Sequence, residues 1–335
     1  MKRKQLVTGA LAVLLAFAPM QSVRAEGGIA IDESHFPDKA FREYVSTGFD
    51  TNEDGLLSDD EIREIKRVEI AGDYENTGNV SSLAGIEYFT ELESLYCECN
   101  KITNLDVTKN TKLKELSCGR NKITELDVSK NTNLTLLSFW ENKITKLDVR
   151  RNETLERLYC DDNKLTKLDV TKNKKLTQLY CMNNNITKLD VTKNTKLESL
   201  VCNNNKITKL DVSKNTKLDN LWCENNKLTK LDVSKNKKLC KLGCGGNKLT
   251  KLDISKNKRL YEFACRKNKL KKLDLPKGST AVEFILSGNS KALSGNGGKK
   301  GKNLTITVAT TKDQKIAKKL LKTAGVPKAK VIVRK

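Results

Sequence analysis

The dominant feature of the sequence is a repeat of 21 residues, which runs from residue 92 to residue 280 as nine units without insertion or deletion. We number the positions of each unit 1 to 21, so that Leu92 and Leu113 stand at place 1. Places 1, 4, 6, 11, 14 and 16 hold Leu, Ile, Val, Phe or Cys in every unit. Burying six such side chains barely offsets the ordering of 21 backbone residues, so a unit should fold only when stacked on its neighbours.

Two further patterns define how the units stack. Exposed and buried residues alternate over places 3 to 6, which predicts a short strand that pairs in parallel with the same strand of the next unit, about 4.8 Å away. Asparagine stands at place 9 in all nine units, where its amide can satisfy buried backbone groups in a turn. These residues are Asn100, Asn121, Asn142, Asn163, Asn184, Asn205, Asn226, Asn247 and Asn268. We expect an internal hydrogen-bonding ladder.

The pattern resembles the leucine-rich repeat, in the 21-residue form LxxLxCxxNxLTxLDVSxNxx of exported bacterial proteins. The resemblance implies an α/β repeat solenoid: a right-handed array whose short parallel strands line a concave face, used to bind partners rather than to catalyse. Weaker matches extend the array on both sides. Ile65, Val68 and Ile70 fit places 1, 4 and 6 of a degenerate first repeat over residues 65–91, and residues 281–289 fit a partial terminal repeat.

The chain has ten cysteines, and eight of them occupy place 6. Neighbouring place-6 residues should hold their Cβ atoms about 4.8 Å apart, beyond the roughly 3.5 to 4.5 Å that a disulfide needs. We therefore predict a column of buried free thiols that pack as small hydrophobes; disulfides are the alternative. Cys99 and Cys240 fall at places 8 and 2, where we expect exposed thiols.

An acidic motif precedes the array. Residues 50–61 match the calcium loop of an EF-hand at every diagnostic position, with Gly55 at the sharp turn. The flanks predict an entering helix over residues 37–48 and an exit helix over residues 59–66. The alternative is an Asp-rich turn that only caps a helix. The predicted calcium ligands are Asp50, Asn52, Asp54, Leu56 through its carbonyl, Ser58 and Glu61.

The two ends of the chain have other signals. Residues 1–25 combine basic residues, an apolar run of about 12 residues and small residues before Glu26, which predicts a signal peptide; a retained membrane anchor is the alternative. We assign residues 26–64 to a helical cap, residues 290–303 to a Gly/Lys linker, and residues 304–335 to a basic strand-helix-strand segment. That segment could instead begin a further domain or bind the cell wall. We expect a secreted, soluble protein; association with the cell surface is left open.

Charge lies in blocks along the chain. Residues 26–91 carry a net charge of −12, whereas residues 92–280 carry +19 and residues 281–335 carry +11. Places 2, 3, 5, 7 and 8, which should face the concavity, sum to −5, so the basic charge lies on the back and edges. These lysines either keep the array soluble or attract anionic polymers. Aromatic residues are absent from the basic places, which disfavours nucleic acid.

The concave face is the expected partner site, because it combines outward aromatic residues with acidic ones. The candidates are Tyr96, Trp140, Tyr159, Tyr180, Met182, Trp222, Glu156, Asp161, Glu198, Asp219 and Glu224. We expect an exported recognition protein that binds a protein or glycan, as an adhesin or surface-interaction factor. A structural envelope protein that binds anionic polymers through its basic back and tail is the alternative. An enzyme is not expected, since His35 is the one histidine and no cleft is recognisable.

Overall fold

A computed structural model describes residues 28–73, 78–277, 305–308, 310–321 and 328–333. The predicted signal peptide, the partial terminal repeat and the Gly/Lys linker lie outside the described residues. Among the described helices, none is both long and apolar enough to cross a membrane.

The N-terminal cap consists of two short helices and a two-stranded antiparallel sheet. Its elements are β1 (Ile29–Ala30), α1 (Lys39–Phe49), β2 (Leu56–Leu57) and α2 (Asp59–Glu64), with β1 paired to β2. Asp38 caps α1 by accepting a hydrogen bond from the Phe41 amide at 3.0 Å. Its other oxygen accepts from the Ser81 amide at 2.7 Å, which fastens the cap to the array. Phe36 and Phe41 pack on Phe89 of the first turn, so the cap closes the end of the core.

The array forms a ten-stranded parallel sheet in which each strand covers places 3 to 5 of its unit. Its members are β3 (Arg67–Glu69), β4 (Ser94–Tyr96), β5 (Glu115–Ser117), β6 (Leu136–Ser138), β7 (Arg157–Tyr159), β8 (Gln178–Tyr180), β9 (Ser199–Val201), β10 (Asn220–Trp222), β11 (Lys241–Gly243) and β13 (Glu262–Ala264). From β4 onward, each strand pairs with the next at an offset of 21 residues, as between Leu179 and Leu200. The predicted stacking is therefore confirmed, although the strands end one residue before place 6.

The first repeat is longer than the others but keeps their pairing. Val68 of β3 pairs with Leu95 at place 4, and Ile65 and Val68 are buried. The Val80 amide donates to Asn100 Oδ1, which is the bond that place-11 residues make in later units. A short 3-10 helix over Ile86–Tyr88 completes this turn. Val80 follows Ile70 by ten positions instead of five, so most of the extra residues fall between places 6 and 11.

A second, four-stranded parallel sheet forms at the C-terminal end, at places 13 to 15. It consists of β12 (Lys251–Asp253), β14 (Lys272–Asp274), β15 (Thr305–Val308) and β16 (Lys330–Val333), and α3 (Thr311–Leu320) connects the last two strands. Thr305 pairs with Lys272, so the strand-helix-strand segment extends the array on the side away from the ten-stranded sheet. Ile306 and Ala317 are fully buried there.

Asparagine columns hold successive turns together. Asn205 Nδ2 donates to the carbonyls of Cys181, Cys202 and Asn203, while its Oδ1 accepts from the Ile186 amide at 2.9 Å. Equivalent bonds recur along place 9, which confirms the predicted ladder. A second column, which the sequence analysis did not recognise, occupies place 19. Its members are fully buried, and Asn215 Nδ2, for example, donates to the carbonyls of Val191 and Asn194.

The place-6 cysteines form the predicted column of free, fully buried thiols. Burial raises the pKa of each, to about 12 for Cys223, so the thiols stay neutral. The expected exposure of Cys99 and Cys240 is wrong, because both are buried. Gly78 lies against Cys99, and its amide donates to the Cys99 carbonyl at 2.7 Å. The Cys240 thiol donates to the Lys238 carbonyl at 3.3 Å and lies beside Arg259.

Candidate functional site

The ten-stranded sheet aligns one row of large side chains across four consecutive turns. Tyr159, Tyr180, Val201 and Trp222 all stand at place 5, on strands β7 to β10, and pair in direct register. All four are half-buried, so each presents part of its side chain to solvent. We call these four residues the concave ridge. The leucine-rich interior holds their backbones, which gives the ridge a rigid base.

Contacts within the ridge fix its rings. The rings of Tyr159 and Tyr180 lie 5.0 Å apart at 49°. The Tyr159 hydroxyl donates to Gln178, and the Ser199 hydroxyl contacts the Tyr180 hydroxyl at 3.4 Å. Burial raises the pKa of Tyr159, so its hydroxyl remains a neutral hydrogen-bonding group. Rings held in this way lose little freedom when a partner binds.

Each tryptophan lies against a glycine on a neighbouring turn. A Cβ atom added to Gly119 would lie 2.3 Å from Trp140 Nε1, and one added to Gly243 would lie 2.1 Å from Trp222 Cε3. Any larger residue at either glycine would therefore displace the indole. The two tryptophans point outward as predicted, but one side of each ring packs on the backbone of the array.

Place 7 adds Met182 and Asp161 beside the ridge. Asp161 is buried, with a residual exposure of 9%, and its Oδ1 accepts from the Met182 amide at 2.8 Å. Burial raises the pKa of Asp161 to about 6. Asn203 occupies the same place two turns later and accepts from the Glu224 amide at the same distance, 2.8 Å. Asp161 therefore has a structural role that an amide can also fill, and offers a partner little surface.

The remaining predicted contact residues separate into two groups. Glu156, Glu198 and Asp219 stand at place 2 and are exposed, while Glu224 at place 7 is half-buried. These carboxylates frame the ridge with negative charge. Tyr96 lies three strands from Tyr159 in the same sheet, but the intervening place-5 residues are serines, so the row of large side chains does not continue to the ridge.

Tyr96 belongs to a separate polar chain near the cap. The Arg67 guanidinium carbon lies 4.5 Å from the centre of the Tyr96 ring, and the Tyr96 hydroxyl donates to Glu115. Glu115 also pairs with Arg157 at 3.3 Å across the intervening strand β6. Burial and the Glu115 hydrogen bond raise the pKa of Tyr96. The charged groups of this series of contacts therefore have partners within it.

A row of amides at place 8, which the sequence analysis missed, borders the ridge. Asn183, Asn204 and Asn225 each donate from Nδ2 to the place-8 side chain of the preceding turn, at 2.6 to 2.7 Å. The first acceptor in this row is Asp162. Every place-8 residue has a positive φ, between 48° and 66°. Asparagine and glycine adopt this left-handed conformation most readily. Their succession in units 5 to 8 was the available sequence signal.

The predicted calcium loop has the turn geometry that its sequence requires. Gly55 has a φ of 80°, and its amide donates to Asp50 Oδ2 at 2.9 Å. Leu57 is buried and pairs with Ile29, so β1 braces the loop from one side. Asp54 Oδ1 accepts from the Leu56 amide at 2.9 Å. The backbone therefore fits an EF-hand loop.

Glu61 fits the loop less directly. Its Oε1 accepts from the Thr51 amide and hydroxyl at 2.7 Å, and its Oε2 accepts from the Ser58 amide at 2.9 Å. Burial opposes ionisation of this carboxyl, but the bonds from Thr51 and Ser58 outweigh burial and lower its pKa to about 2. Within the described ranges, no three His, Cys, Asp or Glu side chains converge on a metal-sized position. Calcium coordination by these residues stays a prediction. To coordinate the ion, the Glu61 carboxylate would have to give up hydrogen bonds from Thr51 and Ser58.

Solved structures show the same architecture. The functional domain of InlJ from Listeria monocytogenes, described as including a cysteine ladder, is 31% identical, with a TM-score of 0.61 and coverage of 87% of this chain and 63% of that one. The internalin InlF from the same species is 21% identical, with a TM-score of 0.69 and coverage of 91% and 93%. This chain has the leucine-rich-repeat fold. It spans less than two thirds of the InlJ domain.

More distant structures share the fold with a ligand present. The plant peptide hormone receptor RGFR1, solved in complex with RGF2, is 20% identical, with a TM-score of 0.54 and coverage of 74% of this chain and 40% of the receptor. No protein-family model matches the sequence, and no curated protein matches it significantly.

Proposed function

We propose that this chain is an exported recognition protein that binds a protein partner on a host or bacterial surface through its concave face, as an adhesin or surface-interaction factor. The observation that carries the proposal is the concave ridge, with Trp140 and Met182 beside it. Its aromatic rings are held in place, partly exposed and framed by exposed carboxylates. Aromatic anchors with a polar rim are the usual composition of interaction hot spots.

The likeness to internalins and to a receptor bound to a peptide hormone supports a binding role for a protein of this fold. Export rests on the signal-peptide pattern of residues 1–25. A catalytic role lacks support: the side chain of His35 contacts Asp32 and Ser34 of its own turn, and Asp161 and Asp162 each accept bonds from the neighbouring turn.

Affinity capture from host extracellular and bacterial envelope fractions tests the proposal. We expect the mature chain to retain a protein that the triple variant Tyr159→Ala, Tyr180→Ala, Trp222→Ala no longer retains. Tyr261→Ala is the matched control, because Tyr261 is the most exposed aromatic residue in the described part of the chain, at 52%, and lies outside the ridge. The melting temperature of each variant checks folding.

Two results would overturn a protein partner. Capture that survives protease treatment of the fractions but not glycosidase treatment would indicate a glycan. Capture that the triple variant retains, and that collapses between roughly 50 and 200 mM salt, would favour the alternative in which the basic back binds anionic polymers.

We propose further that the loop at residues 50–61 holds a structural calcium ion that rigidifies the cap. Asp50, Asn52, Asp54, Ser58 and Glu61 would supply side-chain oxygens and Leu56 its carbonyl, the oxygen-only set that calcium prefers. A single extracellular loop of this kind should bind with a Kd of roughly 10⁻⁴ to 10⁻³ M.

Calorimetric titration with calcium chloride tests the loop. We expect binding and a raised melting temperature for the wild-type chain, and neither for Asp50→Asn. Asp59→Asn is the control, since Asp59 stands at a loop position that supplies no ligand in this pattern. A wild-type chain that takes up no calcium at about 5 mM, well above that Kd range, would contradict the site.

A further inference from the structure

A cleft lies near the C-terminal end of the array, and almost all of its described lining residues are cations. Its volume is about 570 Å³, and it lies on the side of the array away from the concave ridge, at places 17 to 21 of units 7 to 9. We call it the terminal basic cleft. Its lining residues are Lys237, Ser255, Lys256, Lys258, Arg259 and Lys277.

The positive charge of this cleft is uncompensated within its lining. Among the residues that the structure describes, no carboxylate lines the cleft, and none of its five cations forms an ion pair. All five are exposed. Like charges around one concavity repel each other and concentrate a positive potential, which an anion relieves.

The cleft is a local departure from the repeat. Place 18 is basic in every unit, but place 20 is Thr in four of the first six units and Glu in one, as at Thr195 and Glu153. Lysine occupies place 20 in successive units only at Lys237 and Lys258. The periodic interior requires nothing of this place, because its side chains are exposed. The change therefore adds charge without altering the fold.

The lining chemistry selects among anions. Four of the five cations are lysines, which attract oxyanions as point charges, and Arg259 adds a planar guanidinium that can bind a phosphate or sulfate group through two hydrogen bonds. Buried Ser255 adds a hydroxyl. The described lining residues include no aromatic side chain on which a base could stack, which disfavours single-stranded nucleic acid. Its volume exceeds that of one phosphate or sulfate ion.

We propose that the terminal basic cleft binds a linear polysaccharide or polyol chain that carries several sulfate or phosphate ester groups. This site is independent of the concave ridge, so the chain has two binding surfaces of different chemistry: one aromatic and acidic, the other basic. The test must separate the cleft from the general positive charge of the array.

Calorimetric titration of the full mature chain at about 50 mM salt provides that test. The probes are a heparin hexasaccharide, which carries sulfate esters, and a glycerol phosphate oligomer, which carries phosphodiesters. The cleft variant is Lys256→Gln, Lys258→Gln, Arg259→Gln. The control variant is Lys172→Gln, Lys174→Gln, Lys175→Gln, which removes three cations at the same places 18, 20 and 21, four units earlier.

We expect one probe to bind the wild-type chain and to lose affinity about tenfold or more in the cleft variant, with less than about a twofold loss in the control. The probe that binds identifies the ester group. Equal losses in the two variants would show that binding follows overall charge and would overturn the cleft. Failure of both probes to bind the wild-type chain at about 1 mM would also overturn it, while leaving the concave-face proposal untouched.

Discussion

The interior of the array and its concave face obey different rules. Places 1, 4, 9 and 14 hold the same kind of residue in every unit, whereas place 5 changes from Tyr to Ser, Val, Trp, Gly and Ala along the chain. Interior side chains pack against the next turn or form hydrogen bonds with it, so each substitution there affects two turns. Face side chains stand on strands whose backbone bonds are already complete. The fold therefore resides in what repeats, and recognition in what does not.

The largest expected effect tests this comparison inside the core. Asn205→Ala removes an amide that bonds three carbonyls and one backbone amide, and should cost about 3 to 5 kcal/mol of unfolding free energy. Asn215→Ala, at place 19, should cost less, about 2 to 3 kcal/mol. Its Nδ2 bonds two carbonyls, while its Oδ1 has no partner in the described part of the chain.

Urea denaturation of both variants measures the difference. Equal costs, or a greater cost at Asn215, would mean that the amide oxygen contributes nothing to the place-9 column. An alanine at Thr195 serves as the surface control, since this side chain is exposed and its backbone does not have a positive φ.

These two columns also show how far sequence reasoning reaches. Asparagine at place 9 adjoins the apolar pattern, so burial and hydrogen bonding could be predicted there. Asparagine at place 19 is as regular in the first eight units, but it stands between a lysine and polar residues and looks like an exposed turn. Only the stacked structure shows that each place-19 residue is covered by its neighbouring turns. Periodicity establishes that a residue matters, but not whether solvent reaches it.

Asp161 stands on the concave face but is buried and bonded to the next turn, as interior residues are. Its substitution therefore tests the difference between the face and the interior. Because burial raises its pKa from 3.8 to about 6, the folded state holds a proton that the unfolded state releases between these values. Stability should therefore fall as pH rises from about 4 to 6 and stay low above it. Asp161→Asn should remove this loss and gain about 1 to 3 kcal/mol at pH 7.5.

Thermal melts between pH 3.5 and 7.5 compare the two proteins. We expect their stabilities to converge at the acid end, where both side chains are neutral. Asn203 makes the equivalent bond to the Glu224 amide, so the substitution keeps the hydrogen bond. An unchanged pH profile would show that Asp161 is hydrated in solution.

The glycines beneath the tryptophans offer a smaller effect. Gly243→Ala places a methyl group 2.1 Å from the Trp222 ring and should displace it, at a cost of about 1 to 2 kcal/mol and with red-shifted fluorescence. Gly245→Ala is the control, because its nearest obstacle, at 2.8 Å, is the mobile carboxylate of Glu224. If both variants emit alike, the ring does not rest on the glycine.

Such contacts explain why the face was predicted less fully than the fold. Alternation along a strand identifies which residues point outward, as it did for Tyr159 and Trp222. It does not indicate how much space the side chain on the adjacent turn, 21 positions away, leaves for an outward residue. The packing of Trp140 on Gly119, and the burial of Cys240, both depend on side chains of adjacent turns. The pairing of a tryptophan with a glycine on a neighbouring turn was a signal that the repeat alignment contained.

The smallest effect concerns place 8, where the residue type varies but the backbone has a positive φ in every unit. Lys267 has a φ of 54°, a conformation that costs most side chains about 1 kcal/mol and asparagine less. Lys267→Asn should therefore stabilise the array by about 0.5 to 1 kcal/mol. Lys269→Asn is the matched control, since the same change two residues later meets an ordinary backbone and should leave stability unchanged. A gain in both variants would be attributed to the lost charge. A gain only at Lys267 would show that the backbone conformation selects the residues at place 8, whereas it does not select those at place 5.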